Sequence, residues 1–157
     1  MKNIFFVLSV FSLLSGCATT PTIPNEPIQD TIIIDKSYNT VWKAVINVVT
    51  EFKDPIKVVE KDSGLITTDF VIYANGFLAE NDIKRLCYLP KIMLSDWVIG
   101  KYFYTINISK IDESKTQIKI ITHLESFEKR MTGKWYLCES RGVIENNIFN
   151  KLREELK

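Results

Sequence analysis

The chain has 157 residues, 46% of them apolar, and its 20 basic side chains nearly balance 19 acidic ones, for a formal net charge of +1. Its length is close to the commonest domain size, which predicts one globular domain with its own core. The balance of charge argues against a general electrostatic grip on nucleic acid or on anionic lipid headgroups, because both need clustered basic residues in excess.

The first sixteen residues have the pattern of a secretory signal peptide. Lys2 is followed by an apolar run from Ile4 to Leu14 and then by the small residues Ser15 and Gly16. This run is too short for a permanent membrane span, which needs about 20 apolar residues in a helix. We therefore predict that residues 1–16 are a signal peptide that is removed.

The stretch Leu14-Ser15-Gly16-Cys17 resembles the lipobox of bacterial lipoproteins. The resemblance implies that the Cys17 thiol takes a diacylglyceryl group, that cleavage falls just before Cys17, and that the new amino terminus is acylated, for example with palmitate. Ala18 follows without an adjacent aspartate, which by similarity to sorted lipoproteins implies the outer membrane, with the domain facing the periplasm. The alternative is an ordinary signal peptide with a cysteine near its end.

Residues 17–30 hold the lipidated cysteine and a proline-rich tether, in which Pro21, Pro24 and Pro27 are spaced three apart. Such spacing favours an extended segment that rises about 3.1 Å per residue, so the 13 residues after Cys17 could span roughly 40 Å. A proline motif that a partner protein binds is the alternative. We expect the membrane to be one partner, reached through this lipid anchor.

Residues 31–157 alternate between strand and helix patterns. A short β-rich run from Thr31 is followed, after Ser37, by apolar residues at three- and four-residue intervals, which indicate a helix with one apolar face. Two hairpins are predicted next. The first covers residues 56–73 and turns at residues 61–64, where Gly64 suits a positive φ, so its second strand runs from Leu65 to Tyr73; the second hairpin turns at residues 112–115. A second apolar stripe predicts a C-terminal helix: Ile144, Ile148, Phe149, Leu152 and Leu156.

This order predicts a single α+β domain, an antiparallel sheet with two helices packed on one face in the order β-α-β-β-β-β-α. Three stretches resemble the helix-grip domains of bacterial outer-membrane lipoproteins of the BamC-like kind: residues 41–44 (VWKA), 61–68 (KDSGLITT) and the entry to the last helix at 140–145. The resemblance implies the fold; these motifs carry no activity, so membership in a particular assembly machine does not follow.

Two cysteines, Cys87 and Cys138, remain besides the anchor. In an oxidising compartment an even pair is most simply a disulfide, and closing this length of chain stabilises a fold by roughly 4 kcal/mol in the loop-entropy model. Two buried free thiols are the alternative. The bridge would join the irregular segment at residues 75–100 to the entrance of the last helix.

No catalytic motif stands out. The one histidine, His123, lies in a predicted strand with Glu125 two residues on and so on the same face, but no motif places a nucleophile beside them. The sequence has no glycine-rich phosphate loop, no zinc-spaced cluster and no calcium loop, so we predict a non-enzymatic protein without cofactor or metal.

The segment at residues 75–100 is too apolar for an ordinary loop. It either covers one edge of the sheet or presents a docking surface for a partner, for which Phe77, Leu89 and Trp97 are the candidate residues.

Two functions remain open from the sequence. One is a lipid-anchored module that binds other cell-envelope proteins. The other is a carrier that holds a lipid or other small hydrophobic ligand between the sheet and the C-terminal helix. A packed core filled by Trp42 and Phe149 favours the module.

Overall fold

The structure is a computed structural model that describes residues 28–157. The predicted signal peptide, the lipid attachment at Cys17 and most of the tether lie outside the described residues. Residues 28–30 already belong to the domain, because the Ile120 amide donates to the Asp30 carbonyl at 2.8 Å and the Ile28 side chain lies against Gly142. The domain therefore includes residues 28–30, which lie before the predicted boundary at residue 31.

The chain forms eight strands and three helices within this range. The strands are β1 (Thr31–Ile34), β2 (Ile56–Glu60), β3 (Leu65–Thr68), β4 (Val71–Asn75), β5 (Cys87–Tyr88), β6 (Trp97–Lys110), β7 (Thr116–Glu128) and β8 (Lys134–Ser140). The helices are α1 (Tyr38–Phe52), α2 (Ala79–Leu86) and α3 (Val143–Glu155). The predicted α+β class with an antiparallel sheet is confirmed.

The long hairpin of β6 and β7 is the centre of the sheet. On the outer side of β6, β3 and β4 pair one after the other, and β2 continues the sheet beyond β3. On the outer side of β7, β1 and β8 share the edge, and β5 pairs with β8. Every pairing is antiparallel, so each strand presents alternate side chains to one face.

One face of the sheet holds the main hydrophobic core. Ile106 pairs with Ile120 and Ile108 with Ile118 in register, as the alternation predicts. Helices α1 and α3 pack over these residues through their predicted stripes. The side chains at the centre of this packing share near-complete burial: Val45, Val49, Ile148, Phe149 and Leu152.

A second cluster lies on the same face, under α2. Ile83 of α2 packs against Trp97, Leu124 and Cys87. Within the described residues both clusters are formed by side chains between Ile32 and Leu156, so residues 28–157 carry a hydrophobic core of their own and are expected to fold as a unit.

The predicted order lacks four elements, β4, α2, β5 and β8. The strand expected to run from Leu65 to Tyr73 is broken at Asp69 and Phe70 into β3 and β4. At the break the Thr68 hydroxyl takes the place of a backbone partner: it accepts from the Tyr104 amide at 3.0 Å and donates to the Tyr104 carbonyl at 3.4 Å. This side-chain contact ends one strand and lets the next begin.

Gly64 has the conformation that the sequence predicts, with φ 71° at the end of the β2–β3 turn. Its carbonyl accepts from the Ile108 amide at 2.8 Å, which holds the turn against β6. A Cβ atom at this position would lie 1.9 Å from the Ile108 carbonyl oxygen. Both the backbone angle and the close approach therefore require glycine.

Candidate docking surfaces

The second face of the sheet is covered by no described helix and carries a patch of apolar and aromatic side chains. We call it the open-face patch, and define it as Phe70, Ile72, Phe103, Phe127, Trp135 and Leu137. Register places the strand residues of the patch on the face opposite the core: Lys101, for example, is opposite both Ile72 and Glu125, and Glu125 is opposite Leu137. Phe70, between β3 and β4, joins them through its contact with Phe103. Leu137 is 71% exposed.

The rings of the open-face patch are held in fixed positions by their neighbours. Phe70 meets Phe103 edge to face, with ring centroids 4.9 Å apart. The Lys101 ammonium lies 4.1 Å from the ring centroids of both Phe70 and Trp135, and it pairs with the Glu125 carboxylate at 2.8 Å. Such cation–π and ion-pair contacts orient exposed rings without burying them.

The two residues considered for acid–base chemistry lie on this face but do not act together. His123 stacks on the Phe103 ring, with centroids 4.4 Å apart and planes at 9°. Glu125 pairs with Lys101 instead of with the imidazole. They share a face, as predicted, and each has a different partner.

The structure separates the three predicted docking residues. Phe77 is 93% exposed in the turn before α2. Leu89 is half-buried against the second cluster. The prediction for Trp97 is wrong, because its side chain is 2% exposed within that cluster and packs edge to face on Tyr136. Most of the 75–100 segment thus covers the sheet, and Phe77 projects from it.

A small cavity lies between the sheet and α3. It has a volume of about 90 Å³ and is lined by Tyr102, Tyr104 and Asp54, with Phe52, Ile144, Asn147 and Ile148 around them. The Tyr102 hydroxyl donates to the Asp54 carboxylate at 3.2 Å. Burial raises the pKa of Asp54 above its usual range, and the hydrogen bond opposes that effect.

This cavity is well below the 300–1,000 Å³ typical of sites for small molecules. The space between sheet and helix is instead filled by Trp42 and Phe149, both buried. A larger cleft of about 590 Å³ lies at the sheet edge between β1 and the end of α3, but it is more open than enclosed.

The structure holds Cys87 and Cys138 as free thiols, not as the predicted disulfide. Ser140, not Cys138, is directly opposite Cys87, so the two sulfurs approach across a diagonal. The Ser126 hydroxyl lies between them, 3.2 Å from Cys138 Sγ and 4.0 Å from Cys87 Sγ. A hydrogen bond from Cys87 lowers the pKa of Cys138, and the same bond together with burial raises the pKa of Cys87.

We expect oxidised glutathione to convert this pair into a disulfide, with Cys138 reacting first because its thiolate is the more accessible of the two. The free energy of unfolding of the oxidised protein should exceed that of the reduced protein by at most about 4 kcal/mol. Mass spectrometry of unreduced peptides checks the bridge. If both cysteines can still be alkylated after treatment with the oxidant, the predicted bridge does not form. Cys138→Ser is the control, because without Cys138 any disulfide of Cys87 must join it to another molecule.

Glu128 organises the loop that joins β7 to β8. Its carboxylate accepts from the amides of Asp96, Arg130, Met131 and Thr132 at 2.6 to 3.0 Å. Burial would raise the pKa of Glu128, but these hydrogen bonds outweigh it and lower the pKa to about 2. One carboxylate therefore fixes residues 129–132 and ties them to the start of β6.

A lowered pKa means that ionised Glu128 stabilises the folded state above its ordinary pKa and that this contribution is lost as the pH falls towards 2. We expect Glu128→Gln to lower the Tm by several degrees at pH 7. The glutamine side chain has an NH2 group where the carboxylate has its second oxygen, and this donor would face backbone N–H groups that are also donors. The Tm difference between the two proteins should shrink as the pH falls from about 4.5 to 2. A difference that is constant with pH would contradict this role.

Within residues 28–157 no helix is both long and apolar enough to cross a membrane. The same residues contain no group of three or more histidine, cysteine, aspartate or glutamate side chains that could hold a metal ion. A scan of the sequence against protein-family models gives no match, and a search of curated proteins also gives none.

Sequence reasoning missed the open-face patch. The signal was present in β6, where Phe103 alternates with the core residues Tyr102 and Tyr104, and in the run Lys134–Ser140, where Trp135 and Leu137 share a face. Both faces of β6 carry apolar side chains, so alternation alone does not tell which face is open.

Proposed function

We propose that this protein is a non-enzymatic, membrane-anchored lipoprotein whose periplasm-facing domain binds other cell-envelope proteins. The anchor is Cys17, and the location is the outer membrane. The observation that carries the binding role is the open-face patch, because contiguous exposed apolar surface on a folded domain marks interaction sites.

The composition of the patch supports a protein partner. Trp135 contacts both Lys101 and Phe127, and tryptophan is enriched among the residues that dominate binding energy. The salt bridge of Lys101 with Glu125 places one positive and one negative group within the same surface. A partner that covers the rings would also desolvate this pair, which favours one defined orientation.

The packing of the core supports a binding module over a carrier. The cavity between the sheet and α3 has a volume of about 90 Å³, too small for an acyl chain, and the Phe149 ring is fully buried in the core beneath the helix. We therefore place the recognition surface on the outside of the sheet, not beneath the helix.

Photo-crosslinking in intact envelopes tests this proposal. A photoreactive residue at position 137 should give a discrete adduct with one envelope protein, identifiable by mass spectrometry. The same residue at position 33, exposed on β1 but outside the patch, is the matched control and should give none. Trp135→Ser should reduce the adduct at least tenfold, as expected for the loss of a tryptophan at a binding surface.

Equal adducts from positions 33 and 137 would contradict a specific surface. So would an adduct from position 137 that Trp135→Ser leaves unchanged while the protein remains folded.

A further inference from the structure

A second exposed surface lies at one end of the sheet, at the tips of three loops. We call it the loop-tip patch and define it by five side chains: Phe77, Leu78, Met93, Leu94 and Met131. Their exposed fractions are 93%, 72%, 83%, 67% and 54%. No other loops in the described residues expose so many large apolar side chains together.

Backbone contacts bring the three loops to the same end. The Gly76 amide donates to the Val98 carbonyl at 2.8 Å, which places Phe77 beside the start of β6. The Lys129 amide donates to the Asp96 carbonyl at 2.9 Å, and Glu128 accepts from the Asp96 amide at 3.0 Å. Residues 76–78, 92–96 and 129–133 are therefore neighbours around the first residues of β6.

The loops carry a local excess of positive charge although the chain as a whole is nearly neutral. The exposed basic residues in or beside them are Lys91, Lys129, Arg130 and Lys134. Their two acidic residues are Asp96, which is half-buried, and Glu128, which is buried among backbone amides.

The nearest acidic residues of α2 are already paired. Glu80 forms an ion pair with Lys84, and Asp82 forms one with Arg85. The positive charge of the loop tips is therefore not cancelled by the adjoining helix.

The backbone at Leu94 is a second unusual feature of this surface. Its φ is 58°, in the left-handed region that favours glycine or asparagine over leucine. The side chain gains no burial in exchange, since it is mostly exposed. Strained residues of this kind cluster where a protein contacts a ligand or partner.

We propose that the loop-tip patch contacts the surface of an anionic phospholipid bilayer. Large apolar side chains at loop tips enter the boundary between headgroups and acyl chains, and the basic residues around them meet the phosphate groups. A protein partner is less well matched, because this surface has exposed methionines and leucines on separate loops with a basic rim and no fixed aromatic cluster.

The reach of the chain fits contact with the membrane that holds the anchor. Ile28 lies beside Gly142, near the end of β8, and the loop tips adjoin Lys134 at its start, about 20 Å away at 3.3 Å per residue. The eleven residues that follow Cys17, up to and including Ile28, extend to at most about 40 Å. Only this step rests on the proposed function, since the surface itself is formed by residues 76–134.

Flotation with lipid vesicles tests the proposal on residues 28–157, which lack Cys17, so the result does not depend on lipidation. Vesicles of phosphatidylglycerol and phosphatidylcholine should bind the domain at least tenfold more tightly than phosphatidylcholine alone. Binding should weaken in 0.5 M NaCl. The double variant Phe77→Ser, Met93→Ser should bind anionic vesicles at least tenfold more weakly. The double variant Lys129→Ser, Arg130→Ser should have nearly equal affinities for the two vesicle types, because the charged groups that distinguish them are gone.

Ile111→Ser is the matched control, because Ile111 is a half-exposed apolar residue in the hairpin at the opposite end of the sheet. It should change binding less than twofold, and all variants should keep the wild-type circular dichroism spectrum. No binding to anionic vesicles, or equal losses from Ile111→Ser and from the loop variants, would overturn the proposal. Sedimentation that shows a dimer dissociated by Phe77→Ser would also overturn it, since the patch would then face a second copy.

Discussion

Cys17→Ser is expected to abolish the membrane anchor. Serine keeps the size of the side chain but lacks the thiol that the lipobox resemblance implies as the acceptor of the diacylglyceryl group. The variant should lose incorporation of labelled palmitate completely and should keep its signal peptide, so that the uncleaved precursor accumulates in place of the chain that begins at residue 17. Fractionation of envelopes and gel analysis of the labelled protein measure both effects.

The control is Cys138→Ser, which removes a thiol of the folded domain and should leave lipidation unchanged. Two results would contradict the assignment: a Cys17→Ser protein that still reaches the outer membrane fraction, or equal palmitate label in the two variants.

Phe149→Ala is expected to be the most damaging substitution within the domain. The ring is fully buried on α3, within the cluster formed by both long helices and the sheet. Removing a buried phenylalanine side chain costs about 3–5 kcal/mol, through lost burial and the cavity left behind. The free energy of unfolding of a domain is about 5–15 kcal/mol in total, so the Tm of the variant should be about 10–20 °C lower than that of the wild type.

Phe52→Ala is the matched control, because Phe52 belongs to α1 but is 38% exposed. This substitution should lower the free energy of unfolding by well under half as much as Phe149→Ala does. Denaturant unfolding followed by circular dichroism gives both values. The comparison also bears on function: if α3 covered an open ligand cavity, Phe149→Ala would enlarge it at little cost. A loss below about 1 kcal/mol would therefore favour the carrier over the binding module.

The elements that could be predicted from the sequence are those with a clear period. The helices α1 and α3 have apolar residues at three- and four-residue intervals, and the β6–β7 hairpin has core residues at every second position, as at Ile106, Ile108, Ile118 and Ile120. Gly64 was predictable because a tight turn requires a positive φ. In each case the local pattern and the tertiary packing favour the same structure.

The remaining elements depend on contacts distant in sequence. The break between β3 and β4 follows from the bond of Thr68 with Tyr104, 36 residues away, which no local pattern indicates. Trp97 was a candidate docking residue because its segment is too apolar for an ordinary loop, yet it lies in a buried cluster with Ile83 and Leu124.

The candidate surfaces were hidden for a different reason. The net charge counts every residue of the chain, so the positive charges of Lys129 and Arg130 are offset in the total by acidic residues elsewhere in the sheet and helices. The structure places them beside Met131 at one loop end, with the nearby acid Glu128 buried. Local clustering, not net charge, decides whether a surface attracts phosphate groups.

The intact mass of the protein extracted from outer membranes tests the central proposal most directly. We predict a chain that begins at Cys17, lacks residues 1–16, and carries the added mass of a diacylglyceryl group and an amide-linked acyl chain on that residue. A chain that retains Met1, or one with a free thiol at Cys17, would contradict it.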